Sequence, residues 1–469
     1  MNRRPQVVLK PLVAVALTTL LLTLPGEPRA HAAAPTDWTV TWYLCKEFGI
    51  GHPGQTMFIV PDAAGGIWTN STDFAVSRLW HISGDTLTCN LAVECPSRFS
   101  LVDDGGPSLW LAGDLVPLAP KQRPQPEVRK GPEGTRWERT RGLMDAALMP
   151  DGRLWVATAD GLIELDGTET TLYSQVPQVA GFGPSYFNYS STAPPLSSRP
   201  TTALAVDGYG ELWAYGEAMG LIRRTNAGGA EHPKHGVWSE FLAYHPAWGG
   251  GGTRLDDLLG DDAVTVVRAP TQGEVIAGTA SGGLLILKQT KEGLGTSVTL
   301  GEHISAEAIG AGGPVTDVMR DAKGRLWCTH RGERTGDREY RGSVAMLDAG
   351  KWTLWDSRNS ALPARPVNTI CEVRPGTVWV GVDCLDTTIY AGGTRPETGL
   401  LEFVGGDWVT VAPRSYWAER HNVVGVDPKY WKQEITNEST RRITLIRTDD
   451  RGRVWVGSGA ALACFETAE

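Results

Sequence analysis

Apolar residues along this chain come in short runs, each introduced by a glycine turn and answered a few residues later by a second apolar run. The pattern is plainest where Asp151-Gly152-Arg153 leads into Leu154-Trp155-Val156-Ala157-Thr158 and then Gly161-Leu162-Ile163-Glu164-Leu165. Glycine supplies the positive φ of a tight turn without steric cost. The β-branched and aromatic run that follows reads as a strand, and the second run as its partner. The same unit recurs at Lys323-Gly324-Arg325-Leu326-Trp327, Pro375-Gly376-Thr377-Val378-Trp379-Val380-Gly381 and Arg451-Gly452-Arg453-Val454-Trp455-Val456-Gly457. Looser copies are Gly65-Gly66-Ile67-Trp68, Pro107-Ser108-Leu109-Trp110-Leu111 and Gly210-Glu211-Leu212-Trp213-Ala214, and in Gly273-Glu274-Val275-Ile276 isoleucine takes the tryptophan position.

The key position thus falls at 68, 110, 155, 213, 276, 327, 379 and 455. The shortest intervals, 42 and 45 residues, match a four-stranded propeller blade of roughly 40–45 residues. Apolar segments such as Thr202–Val206, Val264–Val266, Val315–Val318 and Val367–Ile370 precede the turns as first strands. Val237-Trp238, Lys351-Trp352, Asp407-Trp408 and Arg136-Trp137 begin fourth strands. The expected fold is all-β, an eight-bladed β-propeller. Its blades span 55–95, 96–142, 143–189, 201–245, 262–301, 315–360, 367–416 and 442–469, the last completed by residues 37–46. Seven blades is the alternative, and the weak copy around Ile276 is where an eighth would be lost. The chain opens on a fourth-strand-like Asp37–Tyr43 and closes on a third-strand-like Ala461–Phe465, so lending the N-terminal strand to the last blade hides both open edges.

These Gly-turn, Leu-Trp-Val-Gly-Thr, Gly-Leu units resemble the two-component regulator propeller repeat over nearly the whole chain after residue 32. The resemblance implies a propeller that stands outside the cell. In that family it is followed by a membrane helix and signalling modules, which this sequence does not show, so the sensor role is not carried over.

Residues 1–32 read as a secretory signal: Arg3, Arg4 and Lys10, then the apolar Val13–Leu24, then Ala30-His31-Ala32 as a cleavage site. A single propeller domain, 33–469, follows, with a secreted or periplasmic location. The signal carries Arg3, Arg4, Lys10 and Arg29 against Glu27, so its removal takes the formal charge from −9 to −12. That disfavours nucleic acid and anionic membrane as partners, and after signal removal no stable membrane insertion is expected. The expected state is a monomer. Seven cysteines leave at least one unpaired. Cys45 and Cys464 fall on neighbouring strands of the closing blade, which predicts a disulfide between them.

The long inserts, 174–200, 246–261, 330–341, 383–398 and 416–440, fall mostly on one face of such a ring, and function concentrates on loops held by a rigid scaffold. The candidate ligand-binding residues are Tyr186, Tyr189, Trp248, Arg331, Arg334, Arg338, Tyr340, Tyr390, Trp417, His421 and Trp431. Aromatic rings stack on sugars or anchor a protein partner, and the arginines suit a carboxylate or phosphate. The function expected is recognition of a glycan, peptide or protein partner at this face. The alternative is a lyase or hydrolase acting on a saccharide or lactone there, with His330 or His421 as base and the acids Asp256, Asp257, Asp261 and Asp262 nearby. No catalytic motif is present, catalytic residues are not assigned, and no cofactor or metal site is expected. Asn70, Asn188 and Asn437 fit the glycosylation triplet. Trp155, Trp327, Trp379 and Trp455 are expected in the core, between neighbouring sheets.

Overall fold

The structure, a computed structural model, describes residues 38–44, 57–72, 76–84, 86–94, 109–111, 116–117, 127–129, 143–158, 161–167, 169–173, 201–216, 220–225, 237–242, 262–292, 295–333, 340–383, 399–411, 421–424, 442–458 and 461–467. The glycine turns form as their sequence requires: Gly65, Gly152, Gly210, Gly273, Gly324, Gly376 and Gly452 all take φ between 75° and 89°. Each turn joins a first strand to the apolar second strand of one antiparallel sheet.

Among the described residues the strands fall into seven sheets, and these are the blades of a β-propeller. In chain order the first strands are Ile59–Pro61, Leu143–Leu148, Thr201–Val206, Val264–Thr271, Val315–Arg320, Val367–Arg374 and Ile443–Thr448. Consecutive first strands neighbour one another all the way round, and Ile59–Pro61 touches both Leu143–Leu148 and Ile443–Thr448. The ring therefore closes at seven.

The expected eighth blade, 96–142, is not a separate unit. Its Leu109–Leu111 strand pairs instead with Thr86–Glu94, setting Trp110 opposite Ala92, and Glu127–Arg129 adds outside it. The segment thus widens the first blade's sheet at the rim. The Ile276 unit, by contrast, forms a complete four-stranded blade from Val264 to Ile304.

Why most second strands are so apolar follows from packing. A strand alternates its side chains between two faces, and here both faces are covered by a neighbouring blade. Leu326 and Cys328 face the preceding blade, with Val266, Ile276 and Ile286, while Trp327 faces the following one, with Val380, Leu401 and Trp408. The key position always faces forward: Trp155 with Leu204 and Ile222, Trp213 with Val264 and Leu285, Ile276 with Val318 and Ala345, Trp379 with Ile446 and Phe465. Seven apolar clusters result, one between each pair of neighbouring blades, and the seventh sets Trp455 and Leu462 against Ile59 and Ile67. Trp155, Trp327, Trp379 and Trp455 are all buried, as expected.

Polar groups repeat as regularly. Asp207, Asp321 and Asp449 each stand six residues before a key tryptophan and accept its indole N–H, at 2.7, 2.8 and 3.0 Å. The same carboxylates accept turn N–H groups, as Asp321 does from Lys323 and Arg325. A bulge near the start of each of six first strands leaves one residue outside the ladder. In three blades that residue donates to the next blade: Thr265 Oγ1 to Val315 O, Thr316 Oγ1 to Val367 O and Asn368 Nδ2 to Ile443 O.

The N-terminal strand Trp38–Leu44 does complete the last blade, antiparallel to Ala461–Thr467, and His421–Val424 adds outside it in parallel. Its Trp38 packs on Trp379 and Phe465, and Tyr43 on Trp455. The predicted Cys45–Cys464 bridge is not supported. Cys464 is a free, buried thiol whose register partner is Thr41. Cys45 itself lies outside the described residues.

Candidate functional site

Of the face residues singled out above, the structure describes three. Arg331 is exposed and its guanidinium carbon lies 5.9 Å from the ring centre of the half-buried Tyr340, within cation–π range. His421 falls in the strand at the outer edge of the last blade, opposite Val40. Tyr186, Tyr189, Trp248, Arg334, Arg338, Tyr390, Trp417 and Trp431 lie outside the described residues, as do Asp256, Asp257 and Asp261.

Other candidates turn out to be structural. His330 ends a second strand with its ring buried, and Nε2 donates to Gly282 O at 3.1 Å. Burial lowers its pKa to about 4, so it is neutral and sealed, unsuited to act as a base on an open face. Asp262 accepts the N–H groups of Ala263 and Ser281, both at 2.9 Å. Asn70 is buried and accepts from Met57 and Phe58, which removes it as a glycan acceptor. Among the described residues no group of three or more His, Cys, Asp or Glu side chains converges as a metal site.

The polar cluster that does converge lies on the first strands, around the axis of the ring. Asp317 Oδ1 accepts Arg268 Nε at 2.9 Å, and Asp317 Oδ2 accepts Arg447 Nη1 at 2.9 Å and Thr369 Oγ1 at 2.8 Å. Asp145 Oδ2 lies 4.0 Å from Arg268 Nη1. Two of these contacts join blades that are not neighbours. Arg447 of the seventh blade reaches across the sixth to Asp317 of the fifth, and Arg268 of the fourth reaches across the third to Asp145 of the second. Such contacts are available only to side chains that meet in the central channel.

The electrostatics divide the two carboxyls. Asp317 is 1 % exposed. Burial works against its charge, but Arg447 and Arg268, with the hydrogen bonds of Arg447 and Thr369, bring its pKa down to about 2. Asp145 also feels Arg268 and accepts the N–H groups of Ala146 and Leu204 at 2.9 Å, yet burial prevails and its pKa is raised. Cys371, one strand turn from Thr369, is pushed up to about 11 by burial and stays a thiol. Arg268 and Arg447 keep 24 % and 22 % of their side chains open to water, and Asp145 17 %. The channel therefore holds two permanent cations, one firm anion and a second carboxyl, Asp145, whose ionisation burial opposes.

The sequence reading missed this cluster because it sits in strands, away from the decorated loops. A signal was present. Asp145 and Asp317 each stand ten residues before a key position, and Arg268 and Arg447 each eight before one. Charges at fixed register in strands that should be covered on both faces need partners, and here the two acids share one register and the two arginines another, two residues along the strand.

No family model matches the chain, and no curated protein does. Among solved structures it is similar to the extracellular domains of two hybrid two-component systems from B. thetaiotaomicron. One aligns with a TM-score of 0.45 and 11 % identity over 88 % of this chain and 45 % of that domain. The other gives 0.44 and 11 % over 91 % and 39 %. The chain thus spans less than half the length of either. It is also similar to a virginiamycin B lyase from Staphylococcus aureus, with a TM-score of 0.44 and 10 % identity over 92 % of this chain and 99 % of the lyase. These likenesses concern the fold alone. Among the described residues no helix is long and apolar enough to cross a membrane.

Proposed function

We propose that this protein is an extracytoplasmic recognition module, secreted or periplasmic, whose ligand enters the mouth of the central channel. The observation that carries the reading is the Arg268–Asp317–Arg447 cluster with Asp145. It draws charged side chains from four blades to one place and leaves the arginines partly open to water. Arginines that stay partly open to water can also donate to the oxygens of a ligand. The aromatic and basic residues of the surrounding loops, Tyr340 and Arg331 among them, would flank a glycan or peptide whose polar group reaches the cluster. A thermal-shift screen against oligosaccharides and peptides tests this, since a ligand that binds only the folded state raises the melting temperature. A shift that disappears in Arg447→Gln supports the channel; one that persists there and disappears in Tyr340→Ala moves the site to the loops.

A second reading, a lyase or hydrolase on a saccharide or lactone, is favoured by one observation. Asp145 and Asp317 are pushed in opposite directions by their surroundings, as an acid and its charged partner are in many active sites. Product formed from a ligand found in the screen, and abolished in Asp145→Asn, would establish it.

A further inference from the structure

We propose that the outer edge of the fourth blade docks a second copy of this chain, the two edges pairing antiparallel about a two-fold axis near Val298. The proposal is independent of the channel reading.

It starts from how the outer edges of the blades differ. A bare edge strand offers backbone N–H and C=O groups to any other strand, and proteins blunt such edges with short length, charge or a cover. Two blades are covered: His421–Val424 lies outside the N-terminal strand of the seventh, and Leu109–Leu111 outside Thr86–Glu94 of the first. Among the described residues the other five blades end on their fourth strand. Four of these strands are only four to six residues long and each carries charge: Glu169 in Glu169–Tyr173, Glu240 in Val237–Leu242, Lys351 and Asp356 in Lys351–Asp356, and Asp407 in Asp407–Thr410. The fourth blade has neither protection over most of its edge. Its last strand, Gly295–Ile304, runs for ten residues, and Gly295-Thr296-Ser297-Val298-Thr299-Leu300-Gly301 holds no charge and no proline. Glu302 and His303 come after a register shift that leaves Gly301 out of the ladder.

The strand also outruns its blade. The second strand, Glu274–Thr279, pairs with the third only as far as Lys288, whereas the third and fourth continue together as a two-stranded ribbon to Glu292 and Gly295. Val298 and Leu300 anchor this ribbon on the apolar cluster between the third and fourth blades, while Thr299 is exposed. An edge already held in place loses little freedom when a further strand pairs with it, and main-chain hydrogen bonds then supply the affinity.

Charge and symmetry select a second copy as the occupant. The formal net charge of the chain is −9, so two copies repel one another and meet most readily where charge is absent. With the two-fold at Val298, Thr296 stands opposite Leu300 and Ser297 opposite Thr299, and no like charges are opposed. The contact is isologous, so it closes at two copies and covers both edges at once. The two fourth blades then form one continuous sheet across the dimer.

The test is sedimentation velocity on the full chain up to about 100 µM, a range suited to an edge-to-edge contact of modest area. The expected result is a concentration-dependent species of twice the chain's mass. Across the two-fold, Thr299 of one copy lies roughly 7–8 Å from Thr299 of the other. Thr299→Lys should therefore abolish the dimer, as should Thr299→Glu, and an equimolar mixture of the two variants should restore it. Thr299 is exposed, and a melting temperature equal to that of wild type at low concentration shows that each variant keeps the fold. Val404→Lys, which adds the same charge at an exposed position of the sixth blade, should dimerise as wild type does. A wild-type chain that stays monomeric throughout, as the sequence alone leads one to expect, overturns the proposal and leaves the edge to a strand of another protein. A dimer that survives Thr299→Lys, is lost in Val404→Lys or is not restored by mixing overturns it as well.

Discussion

Replacing Asp317 by Asn removes the one firm negative charge in the channel while keeping the side chain's size. The cost can be worked from its surroundings. Its pKa falls from 3.8 to about 2 on folding, and each unit is worth about 1.4 kcal/mol, so the charged form contributes about 2 kcal/mol at neutral pH. The variant also leaves Arg268 and Arg447 facing each other with no counter-charge between them. Breaking a buried pair in this way typically costs about 3–5 kcal/mol, but water reaches part of both arginines, so a total of about 3 kcal/mol is expected. The sign with pH follows from a depressed carboxyl: the stabilisation is complete above the unfolded pKa of about 4 and is lost as pH falls toward 2. The gap between wild type and Asp317→Asn should therefore be constant from pH 7 to pH 5 and narrow between pH 4 and pH 2. Urea unfolding followed by tryptophan fluorescence measures it, since the key tryptophans sit between blades. A variant within about 0.5 kcal/mol of wild type at pH 7, or a gap that does not close in acid, would refute the network's role.

Asp321→Ala should destabilise by about 2–3 kcal/mol, because it strands the buried Trp327 indole N–H together with two turn N–H groups; an equal effect is expected for Asp449→Ala, and unfolding midpoints check both. Gly381→Ala should cost about 1–3 kcal/mol, since the added methyl would lie 2.5 Å from Ile443 Cγ2 and 2.8 Å from Thr369 Cγ2, whereas Gly152→Ala, with open space around it, is limited to the penalty of its positive φ. His330, buried neutral with a pKa of about 4, should cost the fold about 3 kcal/mol as pH falls from above 6.5 to 4; His330→Gln should flatten the acid limb of a melting profile over that range. Val40→Asp should destabilise ring closure, because Val40 is buried against the sixth and seventh blades, and its loss should appear as a lowered melting temperature.

What was legible in the sequence was whatever the blade repeats. The Gly turn, the apolar second strand and the forward-facing tryptophan each follow from local chemistry copied round the ring, so fold, core and the lending of Trp38–Leu44 to the last blade could be read directly. The blade number could not, because Leu109-Trp110-Leu111 has the composition of a second strand, and only its pairing with Thr86–Glu94 shows that it adds to an existing rim. The weak Ile276 copy kept its blade because isoleucine fills the forward-facing position as well as tryptophan does. The channel cluster was hidden for a different reason. Asp145, Arg268, Asp317 and Arg447 are up to 302 positions apart, and each taken alone is a charge between apolar neighbours in a strand; only closure of the ring brings them together. Attention to loops led instead to His330, which burial makes inert.

The most direct test of the channel as the binding site compares dissociation constants for one ligand across wild type, Arg447→Gln and Arg331→Ala. The account predicts at least a tenfold loss in Arg447→Gln, in the channel, and a change of less than about threefold in Arg331→Ala, on the exposed loop. Strong dependence on Arg331 with none on Arg447 would place recognition on the loops and leave the channel cluster a structural knot.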